Sequence, residues 1–99
     1  LLPYRSMVEP EALASLARTV PDLETRYDLS RPAREIGARL AARDIAYFDV
    51  TPFLVEEHRR DAVPLYFPID GHLTEAGHEA VARFAGPRIR EALGGGRHL

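Results

Sequence analysis

The sequence predicts an α/β fold: a helix-rich chain with one clear buried parallel strand at about 45–50 and a strand stub at 1–4. Three observations predict it. In Ile45-Ala46-Tyr47-Phe48-Asp49-Val50 every residue but Asp49 is apolar or aromatic, a run too continuous for a half-exposed hairpin strand and typical of a strand covered on both faces in a parallel sheet. Apolar residues elsewhere recur at helical spacing. Leu1-Leu2-Pro3-Tyr4 reads as the end of a buried strand entering a loop, and has itself neither the charged nor the apolar region of a signal peptide. Helix, helix, strand, helix, loop, helix is half of a doubly wound layer arrangement. One full strand cannot satisfy its own backbone groups or cover these helices. Either a partner chain completes the sheet, or the segment belongs to something longer.

Each element follows in order. Glu9-Pro10-Glu11 opens the first helix, because proline suits the first position and acids suit the positive end of the dipole. Leu13, Leu16 and Ala17 form its apolar stripe, and Pro21 ends it. Residues 21–29 read as a solvated loop. Ser30 is the expected cap of a second helix with Pro32 in its first turn, and Ala33, Ile36, Gly37, Leu40 and Ala41 repeat along one side. Thr51-Pro52 starts a short third helix that runs through Arg60. Residues 61–73 read as a loop carrying Leu65-Tyr66-Phe67. Thr74 caps the last helix, Pro87 should kink it, and Gly94-Gly95-Gly96 stops it. One partial domain over 1–93 and a flexible tail over 94–99 are expected.

Composition narrows the function classes. Thirteen basic residues, all Arg, stand against fifteen acidic ones, for a net charge of −2. That balance, without a dense basic run, argues against nucleic acid as a partner. No apolar run is long enough for a membrane-spanning helix. Without cysteine there is no disulfide framework, zinc ribbon or thiol nucleophile, and the compartment cannot be read.

Chemistry concentrates in Asp70-Gly71-His72, just before the last helix. In extended backbone, residues two apart project to the same side. A carboxylate placed so can accept a hydrogen bond from one imidazole nitrogen, which fixes the tautomer and leaves the other nitrogen basic and exposed. Gly71 lets the loop turn tightly. The line from 65 to 82, Leu-Tyr-Phe-Pro-Ile-Asp-Gly-His-Leu-Thr-Glu-Ala-Gly-His-Glu-Ala-Val-Ala, resembles the last block of the SGNH (GDSL-type) hydrolases. Leu2 to Pro10, Tyr27 to Pro32 and Ile45 to Pro52 look like elements found late in some members. The resemblance implies the C-terminal part of a three-layer αβα (flavodoxin-like) SGNH hydrolase fold. It implies that His72 is the catalytic base and Asp70 orients it, in a serine esterase or acyl hydrolase that uses no cofactor and no metal. The family's serine in a Gly-Asp-Ser-like loop and its oxyanion glycine cannot be placed here, and the chain has no asparagine at all. The 99-residue chain alone is therefore expected to be inactive, its partners being a small-molecule or carbohydrate ester and the missing N-terminal part of the fold or a partner chain. Only Gly71 separates the acid from the base, as in a subset that includes relatives of the alginate acetyltransferases. Hydrolysis and carbohydrate O-acyl transfer both stay open on that pattern, as does a non-catalytic binding or assembly role.

The other polar residues have plainer readings. Ser6 lacks a flanking glycine and reads as a turn former; Ser15 lies within a helix, and Ser30 is a cap. His78 reads as a helix-surface or loop-packing histidine, since its spacing from His72 matches no recognised zinc pattern. His58 reads as part of a solvated helix end. Asp49 reads as a hydrogen bond to the following loop. Tyr66 and Phe67 are either packing anchors or the lining of an acyl pocket.

Overall fold

Helices form over the four segments whose apolar spacing predicts them, and each start has a local chemical cause. The structure, a computed structural model, describes residues 1–94. It comprises α1 (Arg5–Val8), α2 (Pro10–Thr19), α3 (Leu23–Arg26), α4 (Arg31–Ala42), α5 (Thr51–Asp61) and α6 (Glu75–Gly94). Thr74 caps α6: its hydroxyl accepts the Gly77 N–H at 3.1 Å and donates to the Pro64 carbonyl at 2.8 Å. Asp49 does the same work for α5, its carboxylate taking both the N–H and the hydroxyl of Thr51, at 2.9 and 2.6 Å. At α4 the Ser30 side chain makes no cap. It donates instead to Asp28, which also accepts from Arg34 at 2.7 Å. The short α1 and α3 fall where the sequence reads as loop.

The predicted sheet does not form. Among the described residues there is no strand of any length, so the flavodoxin-like α/β class is overturned and the chain is a helical assembly. The reason is backbone satisfaction. An extended segment becomes a strand only when its N–H and C=O groups find a neighbouring ladder. Residues 45–50 hydrogen-bond with a single residue of 1–4: the Leu1 nitrogen donates to the Phe48 carbonyl at 2.7 Å, and the Val50 N–H donates to the Leu1 carbonyl at 3.1 Å. Nor is the run buried on two faces, since Ile45 and Tyr47 are 48% and 45% exposed. Its apolar side chains divide between α4 and the core. Tyr47 rests against Gly37 of α4, Phe48 meets Phe84 edge-on at 6.0 Å, and Val50 enters the core. The stub at 1–4 is coil, with Leu2 and Tyr4 exposed.

The core gathers Val8, Val50, Leu54, Leu65, Tyr66 and Ala80, with Phe53, Leu73 and Phe84 packed against it. It lies where α1, α5 and the first half of α6 meet the segment around Leu65. Phe53 and Phe84 stack at 4.7 Å, and the buried Glu57 of α5 accepts two bonds from Arg83 of α6, at 3.1 and 3.0 Å. Both bonds go to one oxygen, Glu57 Oε2, and tie α5 to α6. α4 comes within 8 Å, between Cα atoms, of no other described helix. The last helix still includes Gly94; the remaining residues of the expected tail, 95–99, lie outside the described residues.

Candidate active site

Asp70 and His72 sit at the tip of a tight hairpin that the sequence reads only as loop. Tyr66 and Leu73 form one antiparallel bridge. It is flanked by hydrogen bonds from the Phe67 N–H to the His72 carbonyl, 2.7 Å, and from the Thr74 N–H to the Leu65 carbonyl, 2.9 Å. The Gly71 N–H closes the tip on the Phe67 carbonyl at 3.2 Å. Gly71 has φ +74°, in the left-handed region, while a Cβ there would meet nothing. The backbone, not space, asks for glycine. The root is apolar and buried. Tyr66 is 4% exposed and donates its hydroxyl to the Pro3 carbonyl at 3.0 Å. Burial, with the Glu9 carboxylate nearby, pushes its phenol up to about 12. Tyr66 is thus the packing anchor of the two readings open for it, whereas Phe67 is half exposed and Ile69 projects fully into solvent.

At the tip, Asp70 Oδ1 accepts the His72 backbone N–H at 2.9 Å and lies 3.4 Å from His72 Nδ1. The first contact is a hydrogen bond; the second is an ion-pair distance, longer than a good hydrogen bond. The His72 N–H, and then the imidazole itself, hold the Asp70 carboxyl below the usual carboxylate range. Both side chains are open to water, and the edge of the ring that carries Nε2 has no partner among the described residues. An anionic acid beside Nδ1 and a free Nε2 are what a general base requires.

No serine of the chain joins them as a flanked nucleophile. Ser6 lies in α1, Ser15 is an exposed position of α2, and Ser30 is engaged with Asp28. Ser6 instead lines a groove of about 620 Å³ with Tyr4, Tyr27, Arg31 and Pro32, which reaches neither Asp70 nor His72. His78 is exposed on α6. His58 departs from its reading as a solvated residue: its side chain is 12% exposed. Its Nδ1 lies 3.2 Å from the Val63 carbonyl and so donates there, while Nε2 faces Glu11 at 3.3 Å. Glu9, 1% exposed, completes a Glu9–Glu11–His58 cluster with metal-like spacing. Both Glu9 oxygens are already taken, one by Arg5 at 2.7 Å and one by the Leu65 N–H at 2.8 Å. The cluster therefore reads as structural. Nothing in residue type announces Glu9; an acid before Pro10 looks like a helix-start signal, and only the fold reveals its burial.

No family model matches the chain, and neither a curated protein nor a solved structure is found to be similar to it. The SGNH resemblance of 65–82 accordingly rests on its own residues.

Proposed function

We propose that this chain supplies the acid–base half of a serine ester hydrolase, with Asp70 as the orienting acid and His72 as the general base. The observation that supports it is the tip geometry: a depressed carboxyl at Nδ1 and an unobstructed Nε2 on a hairpin rooted in the core. In this reading a serine hydroxyl approaches Nε2 from elsewhere in the functional assembly. As its oxygen bonds to the ester carbonyl carbon, His72 takes its proton, and Asp70 stabilises the imidazolium. His72 then returns that proton to the departing alcohol. A water deprotonated by His72 next attacks the acyl-serine, and the same proton restores the serine while the acid leaves. The serine and the oxyanion donors are not contributed by this chain's described residues.

The test is ester turnover by the assembly in which this chain meets its serine. His72→Ala lowers kcat by about three orders of magnitude or more, the scale of losing a triad base, and Asp70→Asn lowers it substantially. Full activity in His72→Ala removes the reading.

A further inference from the structure

The hairpin is held from beneath by an ion pair that touches it at both ends. Glu9 stands at the α1–α2 junction, as buried as the residues of the core. Its Oε2 accepts the Leu65 N–H at 2.8 Å, where the chain enters the hairpin. Its Oε1 accepts from Arg5 Nε at 2.7 Å. Arg5 in turn reaches the tip, donating from Nη1 to the Pro68 carbonyl at 3.3 Å, two residues before Asp70. His58 closes the cluster from α5, its Nδ1 shared between the Val63 carbonyl at 3.2 Å and Glu9 at 3.7 Å. A buried carboxylate is expensive to desolvate, and an apolar side chain of similar size would serve stability as well or better. What a carboxylate adds is direction: it fixes one amide, and through Arg5 one carbonyl, at set positions. Both lie on the eight-residue stretch 65–72 that carries Asp70 and His72.

We propose that Glu9 and Arg5 are positioning residues for the Asp70–His72 pair, Glu9 setting the root of the hairpin and Arg5 its tip. This rests on the reading of that pair as acid and base. The clamp explains why an otherwise exposed loop keeps Asp70 Oδ1 on one edge of the ring. Removing it leaves the α5–α6 packing intact and frees the tip to sample positions in which the Asp70 carboxylate has moved away from Nδ1.

The experiment uses the full 99-residue chain, as wild type, Glu9→Gln and Arg5→Met, the last retaining an apolar stem over the same surface. Amide exchange is followed at Leu65, Gly71 and His72 against Leu54 in α5, and the His72 tautomer by long-range ¹H–¹⁵N correlation. In both variants the hairpin amides exchange about tenfold faster, the equilibrium weight of one net hydrogen bond. Leu54 holds, and the share of His72 protonated on Nδ1 falls. A folded Arg5→Met with wild-type exchange and wild-type tautomer at the hairpin overturns the proposal, and does so even where Glu9→Gln unfolds. A wild-type His72 that carries its proton on Nε2 fails the acid–base reading instead, and the exchange data then still decide whether the clamp exists.

Discussion

Single residues decide whether the hairpin holds its shape. Gly77, buried in the first turn of α6, lies against the Leu65 carbonyl so closely that a Cβ would sit well inside van der Waals contact with backbone oxygen. Backbone cannot rotate away as a side chain can. Gly77→Ala is therefore expected to cost about 1–3 kcal/mol, as an overpacked site does, read as a lower urea midpoint by circular dichroism. Thr74→Ala removes both the α6 cap and the bond to Pro64 and is expected to cost about 1 kcal/mol, whereas Thr74→Ser keeps most of it. That Asp70 and His72 lie side by side was legible from sequence, because an i, i+2 relation in a turn is local; the expected bond to the imidazole was not, since Asp70 accepts the His72 backbone N–H at 2.9 Å and stands 3.4 Å from Nδ1. The Glu9 contact was not, because it joins residues 56 apart and no local pattern encodes such a bond.

At the scale of elements, helices were legible and the sheet was not, for one physical reason. Helices satisfy their own backbone, so period and caps suffice to place α2, α4, α5 and α6. A strand needs partners, and an apolar run such as 45–50 states only that its side chains avoid water. Here Tyr47 does so against α4, while Phe48 and Val50 join the core without forming a ladder. α4 illustrates the opposite risk, an amphipathic helix with Ile36 half exposed and Tyr47 set against its Gly37. Its amides are expected to exchange at least about tenfold faster than those at the centre of α5, measured by hydrogen exchange. Its start is also pH-sensitive. Arg34 first, and then Ser30, hold Asp28 down from an ordinary 3.8 to about 2. A folded value below the unfolded one stabilises at neutral pH. That contribution is complete above about pH 4 by the usual carboxyl range and fades as the pH falls through about 2. Loss of α4 helical shifts on acidification over that range checks it; a start of α4 indifferent to protonation of Asp28 contradicts it.

For the whole molecule, the radius of gyration is 15.5 Å, against about 13 Å for a compact domain of this length. The excess comes from α4 standing apart and from the second half of α6, where Ile89 and Leu93 are about half exposed. A small core thus carries the Asp70–His72 hairpin, for which the proposed role is that of a base whose nucleophile lies elsewhere. The isolated chain is expected to resist labelling by a serine-directed fluorophosphonate, and labelling at Ser6, Ser15 or Ser30 would contradict the division of labour proposed for it. The most direct measurement is the protonation site of the neutral His72 ring. A free imidazole favours its proton on Nε2, and an acid at Nδ1 draws it there. The account predicts Nδ1–H with a bare Nε2 in the wild type, reverting to Nε2–H in Asp70→Asn. The same tautomer in both proteins would contradict it.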